Sequence, residues 1–223
     1  MRLISTLLLG FALVAGCAAD RPPDETTDDG LVRVPSRTIG GVYRDPTSSF
    51  TQYRRIMLEP PSIGFKKGWR DEHPEVTPVD LARILTEAMQ LFRDEFAREF
   101  FRRGAYEFAD ELAPDVLMVI PNIEDLDIPS PDATRMYTNG IISMKITGDL
   151  RDASTGKLVG RVILFQPAEL YGYKVRSSNR VTNAHEQRLV YANWTRLVRE
   201  ALDVAKAARP RPKKPAGTDE AFR

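Results

Sequence analysis

The sequence has few of the residues on which thiol and metal chemistry depend. It contains one cysteine, Cys17, and two histidines among 223 residues. A single cysteine excludes an internal disulfide framework and any zinc site built on several thiolates. Two histidines leave little for a His-rich metal site. The composition therefore predicts no metal and no other cofactor.

An excess of charge of one sign is also missing. Lys plus Arg number 32 and Asp plus Glu number 31. Proteins that bind nucleic acid usually carry an excess of basic residues, so nucleic acid is not expected as a partner. Hydrophobic residues make up 42% and charged residues 28% of the chain, which is the balance of a globular domain. This balance argues against global disorder and against a membrane protein with several spans.

No apolar run is long enough to span a bilayer. The longest one covers residues 3–15 at the N-terminus, whereas a transmembrane helix needs about 20 apolar residues. Arg2 precedes this run and a polar segment beginning with Asp20 follows it. That arrangement is typical of a secretory signal peptide, which is removed from the mature protein.

The end of this segment resembles the lipobox of bacterial lipoproteins. Val14-Ala15-Gly16-Cys17 places two small residues directly before the only cysteine of the chain. The resemblance implies cleavage between Gly16 and Cys17, lipidation of the Cys17 sulfur and acylation of the new amine. Ala18, where inner-membrane lipoproteins often have Asp, implies sorting to the outer membrane with the domain facing the periplasm. The alternative is an ordinary signal peptide that happens to contain a cysteine.

Composition divides the chain into four parts. Residues 1–16 form the signal peptide, and residues 17–35 form the lipidated cysteine with an acidic tether that contains prolines. Such polar sequence cannot bury enough apolar surface to fold, so we expect a flexible tether. Residues 36–207 hold one periplasmic domain, and residues 208–223 form a basic, proline-rich tail.

The hydrophobic pattern of the domain predicts an α+β fold in the order β-α-β-β-β-α. Strands are expected at residues 53–59, 115–128, 142–150 and 158–165, with a hairpin turn at residues 152–156. Thr77, Pro78 and Asp80 are typical of a helix start, and a second helix is expected from a capping box of Asn183 and Glu186. We therefore expect a single, mostly antiparallel sheet with two long helices packed on it.

At this level the domain resembles a family of uncharacterised proteobacterial lipoproteins. The stretches that carry the resemblance are residues 30–35, 53–70, 115–121 and 150–162. Its most specific element is the hairpin Asp152…Thr155-Gly156, followed by an apolar strand. The resemblance implies location and domain extent but no activity. The element order is also loosely similar to periplasmic lipoprotein domains of the curli-secretion and penicillin-binding-protein-activator groups, a likeness of fold only.

The histidines do not suggest catalysis. His73 lies in a polar loop and His185 lies near the expected start of the last helix, more than about a hundred residues away. Neither has a partner at the spacing that a metal needs, so each is interpreted as a surface residue. The sequence also lacks a nucleophile elbow, a phosphate-binding loop and a dinucleotide fingerprint. We therefore expect a protein that is not an enzyme.

A group of carboxylates invites a different interpretation. Glu124, Asp125, Asp127 and Asp132 are close in sequence, but they lack the spacing of a calcium loop. An acidic loop is the favoured interpretation. A periplasmic hydrolase that uses Glu124 and Asp127 is kept as the least favoured alternative.

Aromatic residues indicate a binding surface more than the carboxylates do. Trp69 follows two lysines, and Tyr171 and Tyr173 follow the last expected strand. Aromatic residues near basic ones are common at interfaces, but core and edge packing is the favoured interpretation, and an interaction surface is the alternative. We expect a lipid-anchored envelope protein whose periplasmic domain docks an envelope partner or another copy of itself. The alternative is a periplasmic module that binds a small molecule or a lipid.

Overall fold

The computed structural model describes residues 25–36, 40–102, 106–128, 136–138, 142–167 and 176–207. Over these ranges the chain folds into an α+β domain built on an eight-stranded sheet and a separate pair of short strands. The strands are β1 (Val32–Val34), β2 (Gly40–Arg44), β3 (Arg55–Leu58), β4 (Ser62–Phe65), β5 (Glu107–Phe108), β6 (Val116–Asp127), β7 (Met136–Thr138), β8 (Ser143–Asp152), β9 (Leu158–Gln166) and β10 (Arg176–Ser178). The short pair joins β7 to β10.

Two long helices accompany the sheet, as the hydrophobic pattern predicts. They are α2 (Pro78–Ala97) and α3 (Arg180–Ala207), and a one-turn helix, α1 (Trp69–Glu72), precedes them. The end of α2 continues into a π-helical turn, Arg98–Arg102. Within the described part of the chain, no helix is long and apolar enough to cross a membrane.

The start of α2 is confirmed residue by residue. The Thr77 hydroxyl accepts a hydrogen bond from the Asp80 backbone at 3.2 Å, and the Asp80 carboxylate accepts one from the Thr77 backbone at 3.1 Å. The expected start of α3 is wrong by one turn, because the Asn179 side chain accepts from the backbone N–H of Thr182 at 3.0 Å. Glu186 instead accepts from the backbone N–H of Ile142, at the entrance to β8.

The sheet is mixed, and the expectation of a mostly antiparallel sheet is wrong. Its order is β1-β2-β9-β8-β6-β3-β5, with β4 also paired to β6. The half from β1 to β6 is antiparallel, whereas β3 and β4 run parallel to β6 and β5 runs parallel to β3. The cause is the crossover through α2, which brings the chain back to the sheet in the direction in which it left.

The fold starts earlier than the composition suggests. Residues 25–35 lie within the expected tether, yet they form a turn and β1 against the sheet. Leu31 is buried, and Asp29 accepts an ion-paired hydrogen bond from Arg161 on β9 at 2.8 Å. The expected boundary of the tether at residue 35 is therefore wrong, because Glu25 is already part of the described fold.

Aromatic side chains fill the space between the helices and the sheet. Phe92 on α2 contacts Tyr191 and Trp194 on α3, with ring centroids 5.3 and 5.4 Å apart. All three side chains are completely buried. The Trp194 ring lies against Gly148 on β8, where any side chain would overlap the indole. The glycine thus lets α3 approach the middle of the sheet closely.

Candidate functional site

The expected lipidation site lies outside the described residues. Gly16 and Cys17 are not among the residues that the structure describes, and neither are Tyr171 and Tyr173. Cleavage and lipidation at the first pair, and the role of the two tyrosines in an interaction surface, therefore stay predictions.

Trp69 is part of the core rather than of an exposed interaction surface. Its side chain is completely buried, and its ring stacks on Phe65 at a centroid distance of 4.3 Å. The indole N–H donates to the backbone carbonyl of Ile128 at 3.1 Å. Core packing, the favoured interpretation, therefore holds for Trp69, and its assignment to an exposed interaction surface is wrong because the whole side chain is buried.

The two histidines are not brought together. The His73 ring packs against Trp69 and its Nδ1 lies 3.2 Å from the Glu75 carboxylate. His185 is exposed on the first turns of α3. Among the residues that the structure describes, no group of three or more His, Cys, Asp and Glu side chains is arranged to hold a metal ion.

The acidic segment belongs to a strand rather than to a loop, which corrects the favoured interpretation. Glu124 and Asp127 lie on β6, and Asp125 adopts a φ of 51° where the β6–β8 register shifts. The Glu124 carboxylate accepts from Lys145 at 2.7 Å, and that of Asp127 accepts from Lys66 at 2.9 Å. Glu124 thus pairs with a lysine on the neighbouring strand β8, and Asp127 pairs with the lysine that directly follows β4. Asp132 lies outside the described residues.

An apolar groove runs between the end of α3 and the β1–β2 margin of the sheet. It consists of two adjoining cavities of about 310 and 390 Å³. Residues common to both are Val34, Pro35, Val42, Ala201 and Val204. The size lies in the range of small-molecule sites. We call this surface the β1–α3 groove.

The groove exists because α3 covers the middle of the sheet better than its margin. Val198 and Leu202 are buried against the core, but Val204, further along α3, is 57% exposed. Val32 on β1 is 37% exposed on the other side of the groove. Arg33 and Arg44 also line it, and the Nε of Arg33 is buried without a hydrogen-bond partner.

The opposite margin of the sheet carries a second exposed apolar patch. Phe108 on β5 is 58% exposed and Leu112, just after it, is 62% exposed. Three exposed carboxylates surround this pair, Glu107, Asp110 and Glu111. We call these five residues the β5 patch. Large apolar side chains that stay exposed next to each other often mark an interaction surface.

No family model matches this chain, and no curated protein sequence does. Among solved structures, it is similar to a PelC dodecamer from Paraburkholderia phytofirmans, at 12% identity and a TM-score of 0.34, over 70% of this chain and 98% of the PelC chain. It is also similar to a homologue of neuraminyllactose-binding hemagglutinin from Helicobacter pylori, at 11% identity and a TM-score of 0.34, over 73% of this chain and 94% of the other. Likenesses this distant do not bear on function.

Proposed function

We propose that this chain is a lipid-anchored protein of the outer membrane whose periplasmic domain acts by binding rather than by catalysis. The lipobox at Gly16-Cys17 supports the anchor. The fold supports a short connection to it, because Glu25 is already bound to the domain through its backbone carbonyl. The chain from Cys17 to Glu25 spans at most about 28 Å when extended. A lipid on Cys17 would therefore hold the domain close to the bilayer.

The anchor is tested by expressing the full chain with Cys17→Ser in a proteobacterial host. We expect wild type to incorporate a fatty-acid probe and to fractionate with membranes, and the variant to keep its signal peptide and take up no probe. Ala18→Asp serves as a matched change, since it should leave labelling intact and move the protein from the outer to the inner membrane. A wild type that remains unlabelled would overturn the anchor.

The domain has two surfaces that suit contact between copies of this chain. The β5 patch offers the protruding apolar side chains of Phe108 and Leu112, and the β1–α3 groove offers an apolar recess. Acidic residues surround the patch, whereas Arg33 and Arg44 line the groove. Apolar residues on both surfaces, together with carboxylates on one and guanidiniums on the other, support this pairing.

These surfaces lie at opposite ends of the sheet order, on β5 and β1. A contact between the patch of one copy and the groove of the next is heterologous, so the resulting pair keeps one free groove and one free patch. Such contacts generate closed rings or open filaments rather than simple dimers. We therefore assign the proposed binding function to head-to-tail association of the anchored domains.

The association is tested by oxidative cross-linking of two introduced cysteines. Leu112→Cys combined with Val204→Cys should give a ladder of disulfide-linked species in intact envelopes. Leu112→Cys combined with Val181→Cys is the matched control, because Val181 is also an exposed valine of α3 but does not line the groove. Monomer in both strains, or equal ladders in both, would contradict head-to-tail association.

A second candidate function is the binding of an acyl chain in the β1–α3 groove. The apolar lining favours it, and so does the buried, unpartnered Nε of Arg33, which could donate to an anionic headgroup. Each buried methylene contributes about 0.8 kcal/mol. Native mass spectrometry of the detergent-extracted protein would show an added mass of one lipid. Consistently empty protein would discard this candidate and leave head-to-tail association unaffected.

A further inference from the structure

The domain has another cavity besides the two that form the β1–α3 groove, and the side chains that line this one are mostly polar. It has a volume of about 300 Å³ and lies between the end of α2 with its π-helical turn and the middle of α3. The side chains that line it from the first side are Glu95, Arg98 and Glu99, and those from the second are Asn193, Thr195 and Arg196. π-helical turns are rare, and they are found frequently at functional sites.

Glu95 is the unusual residue of this cavity. Its side chain is only 3% exposed, and its Oε2 accepts a hydrogen bond from Arg98 Nη1 at 2.5 Å. The other oxygen, Oε1, is buried and has no hydrogen-bond partner. Burying a carboxylate oxygen without a donor is costly, so such atoms in folded proteins call for an explanation. A ligand with a donor at this position supplies one.

The other charged groups around the cavity are engaged in ion pairs. Glu99 accepts from Arg199 at 2.6 Å, and Arg196 donates to Glu200 at 3.1 Å. Arg199 also donates to Asp203 at 2.7 Å. These ion pairs engage Glu99 and Arg196, whereas Glu95 keeps one carboxylate oxygen without a donor.

The chemistry of the donors and acceptors narrows the ligand further. The Thr195 hydroxyl donates to the backbone carbonyl of Ala192 at 3.1 Å, which leaves its oxygen free to act as an acceptor. A carboxylate oxygen and a hydroxyl oxygen both suit a group that carries several donors and one positive charge. A primary ammonium has three donors and no acceptor. Its positive charge would also make a charge-assisted hydrogen bond with the Glu95 carboxylate.

We propose that the cavity between α2 and α3 is a binding site for a small primary amine, with its ammonium group on Glu95 Oε1. The volume suits a molecule of a few heavy atoms rather than a large cofactor. The cavity shares Arg196 with the β1–α3 groove and no residue with the β5 patch, whereas Glu95 and Thr195 line the cavity and not the groove. A change at Glu95 therefore tests this site apart from association between copies.

The site is tested by calorimetric titration of the full chain in detergent with ethanolamine, and with ethylene glycol as a neutral analogue of similar size. We expect wild type to bind ethanolamine at one site and to bind ethylene glycol at least about tenfold more weakly, a loss of about 1.4 kcal/mol. Glu95→Gln keeps the size of the side chain and removes its charge, so it should lose ethanolamine binding by about tenfold or more. Glu87→Gln, on the same helix but outside the cavity, should bind as wild type does.

A second variant keeps the proposal testable if Glu95→Gln does not fold. Ala192→Leu would place a larger apolar side chain in the cavity without changing any charge, and it should abolish ethanolamine binding while circular dichroism remains that of wild type. Two results would overturn the proposal. One is a wild type that binds no ethanolamine at millimolar concentration, as expected if the cavity holds only water. The other is ethanolamine binding that neither variant weakens.

Discussion

The Tyr53 hydroxyl donates a hydrogen bond to Oδ2 of Asp152 at 3.0 Å, across 99 residues of sequence. Both side chains are buried. The other carboxylate oxygen, Oδ1, accepts from the backbone N–H groups of Ser154 and Thr155 at 3.1 and 2.9 Å. One carboxylate therefore shapes the turn between β8 and β9 and fastens it to the segment that leads into β3.

We expect Asp152→Ala to lower the free energy of unfolding by about 2–3 kcal/mol, because it removes several hydrogen bonds to a charged acceptor and leaves the Tyr53 hydroxyl buried without a partner. Tyr53→Phe removes only one of these bonds and should cost about 1 kcal/mol. Urea unfolding followed by circular dichroism measures both. Equal losses in the two variants would mean that the turn bonds contribute nothing.

The same carboxylate should make stability depend on acid. Burial by itself would raise the pKa of Asp152, but hydrogen bonds from Ser154, Thr155 and Tyr53 outweigh it and lower the pKa to about 2. The unfolded chain has the ordinary value of about 3.9. The contribution of Asp152 is therefore complete above about pH 4 and is lost as the pH falls through about 2, a change of about 2–3 kcal/mol.

Unfolding free energies measured from pH 6 down to about pH 2 test this dependence. Wild type should lose stability more steeply than Asp152→Asn, in which the titrating group is gone. Parallel curves for the two proteins would show that other carboxylates account for the whole effect. Asp45 is one such group. Burial raises its pKa, but hydrogen bonds from Lys157, Ser48 and Thr47 outweigh this effect, and the pKa ends well below its ordinary value.

Gly148→Ala should be strongly destabilising. The added Cβ would overlap the ring of Trp194, which is completely buried and has no room to move aside. Overpacking of this kind costs about 1–3 kcal/mol. Gly64→Ala is the matched control, because the nearest atom to its new Cβ, the Ile123 carbonyl oxygen, would be 3.9 Å away. Thermal unfolding of the two variants should differ, and similar midpoints would contradict the close approach of α3 to β8.

Thr77→Ala should cost about 1 kcal/mol, the usual value for the loss of an N-cap side chain. The variant leaves the Asp80 backbone N–H without its acceptor, while Thr77→Ser keeps the hydroxyl and should retain most of the stability. Urea unfolding of both variants provides the measurement. A Thr77→Ser protein as unstable as Thr77→Ala would show that the methyl group, not the cap, is what matters.

Local signals in the sequence predict the features that depend on local contacts. The Thr77-Pro78 start of α2 and the Asp152–Gly156 turn are each set by hydrogen bonds within five residues, so the residue types reveal them. The two long helices and the strand at residues 158–165 can also be predicted from a local pattern in the sequence. Each has an apolar face with a regular period.

The features that escape prediction depend on partners far away in sequence. Strand β1 is three residues long and follows an acidic segment, so composition alone assigns it to a tether. The parallel pairing of β3 with β6 depends on the direction of a crossover that no local pattern records. The residues next to Trp69 in the sequence do not reveal whether its side chain is exposed or buried. The partner of its indole, Ile128, is 59 residues away.

The unpartnered oxygen of Glu95 could not be foreseen either. In sequence, Glu95 is one of several charged residues near the end of an amphipathic helix, and such residues are mostly exposed. It becomes buried because α2 packs against α3 here, where Phe92 contacts Trp194 and Phe96 also lies in the core. Only the packing of two helices separated by about 85 residues distinguishes it from its neighbours on the helix surface.

The β1–α3 groove also has a mechanical consequence. Val32 on β1 and Ala205 near the end of α3 both line it, so the start of the first strand and the end of the last helix lie at one corner of the domain. Tension applied between the two ends would load the edge strand and the last turn of α3 before any other element. The central β6–β8 ladder would be shielded from that force, and the groove would open while the rest of the domain stayed intact.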